Sequence, residues 1–288
     1  MKQFILNKEP DFSQSKENAG GIVRLKDSDY HYLVNVRRLA AGEFFPALLP
    51  DGKETLVQVL SIEHGVLTGK CNTGRFDKLS DQTGEGIAEN PAHGQKNNLP
   101  PIILFQAMPK GDKMDLIVRQ AAEGGITEIV PFVSEFSTAK ITAEKGQKFL
   151  RWERIIKEAR QQSGSRNTTT LHQPLTKDEL FEYWKTLCKK ENTNSLGLLF
   201  HHQKGLENKS LHGYLNNVPQ VLAFAIGPEG GFSEKEVSLF MENGFKTLTI
   251  GDTVLRTETA ALYCAAAIRI LLLEKDSWEL KQVISDSE

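Results

Sequence analysis

Residues 221–237 of the 288-residue chain read VLAFAIGPEGGFSEKEV and contain, in order, a strand, a glycine-rich loop and the start of a helix. The first six residues are all apolar, which is typical of a strand buried on both faces. Ser233 is followed three residues later by Glu236, a capping box that predicts the first turn of a helix, and Gly244 predicts the end of that helix. A strand that leads through a short loop into a helix is typical of an α/β fold.

The same alternation of strands and helices continues on both sides of this stretch. Apolar runs predict further strands over residues 102–108, 126–133, 196–200 and 246–250. Helical patterns cover residues 113–123, 144–162 and 176–190. A last helix after Thr257 is apolar almost all round and is therefore expected to be buried. The sequence predicts a mostly parallel sheet with helices on both faces.

The N-terminal part of the chain has a different pattern. Short apolar runs alternate with turn signals such as Pro50-Asp51-Gly52-Lys53 and His64-Gly65, which is typical of a small β-rich barrel. Between the two patterns lies a stretch rich in Gly, Asn, Asp and Pro. We therefore expect a domain over residues 1–75, a linker or insertion over 76–100, and a second domain over 101–288.

Composition excludes several classes of protein. The chain is 39% hydrophobic and 25% charged with a net charge of −2, so overall charge does not mark it as a nucleic-acid binder. We expect neither a membrane span nor a signal peptide, because no apolar run is long enough. The three cysteines, Cys71, Cys188 and Cys264, lie far apart. With no convincing set of metal ligands among the scattered histidines, we expect no metal site and a cytoplasmic location.

The glycine-rich loop is the first candidate site. Three glycines in five residues, from Gly227 to Gly231, allow the backbone to approach a planar ligand closely. The loop follows a predicted strand, and ligands of open α/β sheets bind beyond the carboxyl ends of strands. It matches neither the Walker A nor the dinucleotide-binding pattern. Composition alone leaves two interpretations open, a ligand-binding loop or a plain turn capped by Ser233.

A second candidate loop, GDTVLRTET over residues 251–259, also connects a strand to a helix. Thr257 is a plausible N-cap, and Glu258 in the first turn suits the helix dipole, so both have a sufficient structural explanation. Arg256 is different, because an arginine before a buried helix requires an anionic or carbonyl partner, which at a sheet edge is often substrate.

On the helix at 113–123, Asp115 is expected to be a solvated surface charge.

A local excess of positive charge is the third candidate feature. Residues 140–166 contain eight Lys or Arg and three Glu, and these charges surround Gln162, Ser163 and Arg166. Such a surface is suited to the phosphate backbone of RNA. A solvated helix face is the alternative interpretation.

Taken together, these segments resemble the RsmE family of methyltransferases, which methylate N3 of a uridine in small-subunit (16S) ribosomal RNA. The matching stretches are FQAMPKGDKMD at 105–115, TEIVP at 127–131, Arg151-Trp152, QSG at 162–164, IGPEGGFS at 226–233 and LRTETA at 255–260. The last two stretches together are highly specific to this family, whereas either stretch alone would be a weak match. The match covers nearly all of residues 101–274 and is looser in the N-terminal part.

The resemblance implies a fold, a cofactor and partners. The C-terminal domain would be a SPOUT-type fold with a deep trefoil knot, an exception to the rule that chains avoid knots. It would bind S-adenosylmethionine (SAM) and act as a homodimer on 16S ribosomal RNA within the small subunit. The N-terminal domain would be a PUA-like RNA-binding barrel. The alternative is a non-catalytic RNA-binding ribosome-assembly factor, which would not need both loops.

The resemblance also implies roles for individual residues. Arg256 is the candidate to stabilise negative charge on a uracil carbonyl oxygen. Glu258 is the candidate proton acceptor, although a helix N-terminus would make it a weaker base, so a purely structural role stays open. The residues expected to contact SAM are Leu199, Ile226, Gly227, Pro228, Glu229, Gly230, Ile250, Gly251, Leu255, Thr257, Thr259 and Ala260. Those expected to contact RNA are Arg37, Arg38, Lys110, Arg160, Gln162, Ser163 and Arg166.

Overall fold

A computed structural model describes residues 4–6, 9–11, 21–50, 52–72, 99–137, 145–165, 167–189, 194–202, 210–249 and 251–275. The chain divides into two compact units, one formed by residues 1–96 with 161–168 and the other by 97–160 with 169–288. The three predicted segments stay predictions, since most of the predicted linker lies outside the described residues. Two predicted site residues, Ile250 and Arg166, also lie outside them.

The first unit is rich in β-structure, as the sequence predicts. Its strands are β1 (Phe4–Ile5), β2 (Ile22–Leu25), β3 (Phe44–Leu48), β4 (Glu54–Glu63) and β5 (Val66–Asn72). They form one sheet in the order β1-β3-β4-β5-β2, in which only β1 and β3 pair in parallel. His64 and Gly65 have φ angles of 50° and 74°, the left-handed conformation that a tight hairpin turn requires. Closure of this sheet into a barrel stays a prediction.

One helical segment packs on this sheet. Helix α1 (Asp27–Tyr30) continues directly into a π-helical turn over His31–Val36. Leu33 is fully buried in the core that includes Phe4 and Phe45. The residues after this turn are the two arginines that were predicted to contact RNA.

The second unit contains a six-stranded sheet. Its strands are β6 (Ile102–Ala107), β7 (Glu128–Phe132), β8 (Thr170–Leu171), β9 (Ser195–Phe200), β10 (Val221–Ile226) and β11 (Lys246–Leu248). The order is β11-β9-β10-β6-β7-β8, and every described pair is parallel. The carboxyl ends of β9, β10 and β11 therefore meet at one edge of the sheet. The sequence did not indicate β8, which is only two residues long.

Helices cover both faces of this sheet, as predicted. They are α2 (Lys113–Glu123), α3 (Lys145–Ser163), α4 (Lys177–Lys189), α5 (Leu211–Leu215), α6 (Glu234–Glu242) and α7 (Thr257–Leu273). Side chains of alternate residues along each strand pack into two separate hydrophobic cores. Leu104 packs in the core with α2, α3, α5 and α7, whereas the next residue, Phe105, packs in the core with α4 and α6. No described helix has the length and apolar character to cross a membrane.

Helix α7 corrects one prediction. Its apolar residues were expected to be buried all round, but Leu262, Tyr263, Ile270 and Leu273 are between 40% and 52% exposed. The reason is that α7 buries a single side, with Ala261, Ala265 and Ile268 among others, against α2 and the sheet. Within the described residues, an apolar stripe on its other side is exposed.

The capping box of α6 forms as predicted and fixes the end of the glycine-rich loop. Ser233 Oγ accepts a hydrogen bond from the Glu236 N–H, and Glu236 accepts one from the Ser233 N–H. Ser233→Ala is expected to destabilise the protein by about 1 kcal/mol, the usual effect of losing an N-cap. The midpoint of urea unfolding measures the change. Ser233→Thr is the matched control, since it keeps the hydroxyl, and an equal loss in both variants would contradict the capping explanation.

Candidate active site

A cavity of about 620 Å³ lies at the edge where β9, β10 and β11 end. The glycine-rich loop after β10 forms one wall, and the segment between β11 and α7 forms another. Its lining residues are Lys113, Phe200, His201, His202, Ile226, Gly227, Pro228, Glu229, Gly230, Gly231, Phe232, Leu248, Thr249, Thr253, Val254, Leu255, Arg256, Thr257, Ala260 and Cys264. The two loops singled out in the sequence therefore share one site.

The glycines of the loop are required by close packing. A Cβ atom at Gly230 would lie 3.0 Å from Cβ of Phe136, and one at Gly227 would lie 3.2 Å from backbone atoms of Gly231. Gly231 itself has a φ of 71°, in the left-handed region that favours glycine. The loop therefore keeps its backbone close to the cavity at positions where a side chain would displace it.

Thr257 links this loop to α7. Its buried hydroxyl donates to the carbonyl oxygen of Gly227 at 2.6 Å and accepts from Nε2 of Gln106 at 3.1 Å. The prediction that Thr257 is the N-cap of α7 is wrong. Arg256 holds the N-cap position with extended backbone, φ −63° and ψ 151°, and Thr257 is the first residue of α7. The Thr257 hydroxyl therefore connects α7 to the glycine-rich loop and to β6, and it does not cap the helix.

Charged groups meet beside the loop. Nζ of Lys113 lies 2.6 Å from Oε1 of Glu229 and 3.8 Å from Oε2 of Glu258. The backbone N–H of Lys110 donates to both oxygens of Glu229, at 3.1 and 3.2 Å. Burial would raise the pKa of Glu229, but the hydrogen bonds from Lys113 and from the Glu229 and Lys110 backbones, with the charge of Lys113, hold this pKa below its usual value. Glu229 is thus an anion at neutral pH.

Two histidines of the loop after β9 also line the cavity. Burial lowers the pKa of His201, and the charge of His202 lowers it further, so His201 is neutral at pH 7. Among the described residues, no group of three or more His, Cys, Asp or Glu could hold a metal ion. The sequence did not predict that His201 and His202 line the cavity.

The structure separates the predicted cofactor residues into two groups. Eight of them line the cavity, namely Ile226, Gly227, Pro228, Glu229, Gly230, Leu255, Thr257 and Ala260. Leu199 does not, because alternation along β9 turns its side chain into the core with α4 and α6, and its neighbour Phe200 faces the cavity. Gly251 and Thr259 are exposed outside the lining. Of the two candidate catalytic residues, Arg256 lines the cavity and Glu258 does not.

Comparison with known proteins identifies the family. The profile of the RNA methyltransferase domain matches residues 95–269, and that of the RNA methyltransferase PUA domain matches residues 25–68. The chain is 30% identical over 278 residues to ribosomal RNA small subunit methyltransferase E 2 of Borreliella burgdorferi, covering 94% of this chain and 98% of that protein. This chain belongs to the RsmE family.

Two solved structures share the fold of this chain. The chain resembles the structure of ribosomal RNA small subunit methyltransferase E from Neisseria gonorrhoeae bound to SAM, with a TM-score of 0.70, 23% identity and coverage of 94% and 98% of the two chains. A proposed methyltransferase from Legionella pneumophila in complex with SAM has a TM-score of 0.69 and 25% identity, with the same coverage. These comparisons confirm the α/β fold of the RsmE family for this chain.

The residues predicted to contact RNA in this RsmE-family chain differ in exposure. Arg38, Lys110, Gln162 and Ser163 are exposed, and Arg37 is half-buried. Arg160 is only 8% exposed, and burial lowers the pKa of its guanidinium. Its position near the inner side of α3, next to buried Ala159 and one turn from Ile156, explains this. The burial of Arg160 argues against its predicted role as a direct RNA contact.

Proposed function

We propose that this chain transfers a methyl group from SAM to N3 of a uridine in 16S ribosomal RNA of the small subunit. The observation that carries the proposal is the single cavity that joins the glycine-rich loop to Arg256. Family membership supports it, because relatives from Borreliella burgdorferi and Synechocystis are named as small-subunit ribosomal RNA methyltransferases. Such a substrate implies work in the cytoplasm, on free RNA or on the small subunit.

The cavity suits SAM in size and chemistry. Its volume of about 620 Å³ lies within the range of roughly 300–1,000 Å³ that is usual for small-molecule sites. Phe200, Ile226 and Leu255 give it apolar walls, and the glycines place backbone along the cavity with no side chain that would block an adenine ring. We propose that the eight lining residues predicted from the sequence contact SAM, whose sulfonium supplies an electrophilic methyl group when bound.

Arg256 is the proposed catalytic residue on the acceptor side. As the uracil N3–H proton is lost, negative charge spreads to the carbonyl oxygens beside N3. A guanidinium on the cavity wall stabilises that charge and orients the base. Glu258 is the sequence-based candidate for proton acceptor, and the single-turnover rate of Glu258→Gln measures its contribution.

The exposed stripe of α7 supports a homodimer. Its residues recur at helical spacing, and a contiguous exposed apolar face of this kind marks an interaction surface. They are Leu262, Tyr263, Ala266, Ile270 and Leu273. We propose that a second copy of the chain covers this stripe.

Tyr263→Asp is expected to convert the dimer to a monomer, because it places a charge in an apolar interface. Sedimentation velocity measures the change. Met241→Asp is the matched control, since Met241 is 48% exposed on α6, outside the stripe. Dimers of equal stability in both variants would contradict the interface.

The remaining implications of the family are proposals as well. We propose that the N-terminal unit binds RNA as a PUA-like barrel, with Arg37 and Arg38 at its helical turn. We also propose the trefoil knot, formed around the segments that lead out of β10 and β11.

Calorimetry with SAM separates the enzyme from the alternative assembly factor. The enzyme is expected to bind one SAM per chain. A folded protein that binds no SAM would favour the non-catalytic factor, which needs the barrel and the basic helix but no cofactor site.

A further inference from the structure

Lys113 occupies a position that the proposed reaction has not yet used. It is the first residue of α2, its side chain is 35% exposed, and it lines the cavity. Two carboxylates flank its ammonium group, Glu229 from the glycine-rich loop and Glu258 from the first turn of α7. The group is therefore held at the point where three elements of the site converge.

The two carboxylates hold Lys113 in different ways. Glu229 accepts a hydrogen bond at 2.6 Å, whereas Glu258, at 3.8 Å, attracts the ammonium without a hydrogen bond. An ammonium group has three N–H donors, and Glu229 is its hydrogen-bond acceptor within the described residues. Donors thus remain for a ligand in the cavity.

Glu258 lies beside Lys113 but outside the lining of the cavity. Its side chain is 14% exposed, and the buried Oε2 has no hydrogen-bond partner among the described residues. Lys113 lines the cavity and Glu258 does not. Any effect of the Glu258 carboxylate on a bound ligand is therefore transmitted through the Lys113 ammonium group. This placement favours a positioning role for Glu258 over direct proton transfer.

We propose that Lys113 is a second cationic catalytic residue, which contacts a carbonyl oxygen of the target uracil while Glu229 and Glu258 position it. This rests on the proposed function. Uracil N3 lies between two carbonyl groups, so the charge left by its proton spreads to two oxygens, and Arg256 with Lys113 provides one cation for each. In the step, N3 forms a bond to the methyl carbon, the carbon–sulfur bond breaks, and the N3 proton passes to water.

The second cation also selects the base. Cytosine has an amino group in place of one of these carbonyls, and two donors that face each other cannot form a hydrogen bond. Lys113 is therefore a specificity-determining residue for uracil as well.

Single-turnover methylation of 16S RNA, with SAM and RNA saturating, tests the proposal. Lys113→Met is expected to lower the rate by about tenfold to 100-fold, less than a fully buried donor, and Lys113→Arg to recover part of it. Lys185→Met is the matched control, an exposed lysine on α4 that pairs with Glu182, and its rate is expected to be unchanged. A Lys113→Met rate within twofold of wild type would overturn the proposal.

RNA with 5-fluorouridine at the target position separates catalysis from a structural role. Fluorine makes the N3–H more acidic, so less charge stabilisation is needed, and Lys113→Met is expected to gain more than wild type. A purely structural defect would leave the ratio of the two rates unchanged and would overturn the proposal. If wild type forms no N3-methyluridine at all, the proposed function fails instead.

The double variant Lys113→Met/Glu258→Gln tests the positioning role of Glu258. If Glu258 acts through Lys113, the double variant is no slower than Lys113→Met alone. Losses that multiply would show an independent role for Glu258 and overturn this part of the proposal.

Discussion

Arg256→Ala is expected to lower the single-turnover rate of methyl transfer by about 10²- to 10³-fold, the range for losing one donor to a developing oxyanion. The residue is exposed on the cavity wall in extended backbone just before α7. Within the described residues no carboxylate pairs with its guanidinium, so its charge is available to a ligand. Because the side chain is exposed, the loss should appear in the chemical step and not in the unfolding free energy.

Two variants control this experiment. Arg256→Lys keeps the charge but loses the planar fork, so an intermediate rate is expected. Arg119→Ala removes an exposed arginine of α2 that is outside the cavity, and its rate should match wild type. If Arg256→Ala reacts within threefold of wild type at saturating SAM, the assignment of Arg256 is wrong.

Gly227→Ala is expected to weaken SAM binding by roughly tenfold to 100-fold. The added Cβ would lie 3.2 Å from Cα and the carbonyl carbon of Gly231, and both are backbone atoms of the same loop. The loop must shift to relieve this contact, and such overpacking costs about 1–3 kcal/mol, where every 1.4 kcal/mol corresponds to tenfold in affinity. Calorimetric titration with SAM measures the dissociation constant.

Gly146→Ala provides the matched control for the loop. Gly146 lies in α3, where a Cβ would meet nothing within 4 Å, so SAM affinity should be unchanged. A folded Gly227→Ala protein with the affinity of wild type would show that the loop tolerates a side chain, and the close-approach explanation would fail.

Local patterns allowed much of the fold to be predicted. The bounds of α2, the buried strand β10 and the capping box at Ser233 depend on residues that are close in the sequence, and the structure confirms them. The placement of both candidate loops at one edge also followed from the sequence, since parallel strands end on the same side. These features need no knowledge of which distant segments pack together.

Contacts between distant residues were not predictable in the same way. Asp115 was expected to be a solvated charge, but it accepts a hydrogen bond from Nε1 of Trp152 at 3.0 Å and pairs with Arg151, across 37 and 36 positions of sequence. Lys113 opens a helix, and nothing near it in the sequence indicated Glu229 or Glu258 as partners. The two loops of the site could therefore be predicted from the sequence, but the ion pairs between distant segments of the site could not.

The same limit explains the error on α7. Its apolar composition is equally consistent with burial inside one chain and with one buried and one exposed side. The packing of α2, α5 and β10 against α7 decides which residues, such as Tyr263, are left exposed. An apolar helix with one exposed side therefore cannot be distinguished from a core helix when only its sequence is known.

The most direct test of the central claim is mass-spectrometric mapping of modified uridines in 16S ribosomal RNA. RNA from cells that lack this protein is compared with RNA from the same cells complemented with wild type or with Arg256→Ala. We predict that one N3-methyluridine disappears on deletion, returns with wild type and does not return with Arg256→Ala. An unchanged set of N3-methyluridines in the cells that lack the protein would contradict the account.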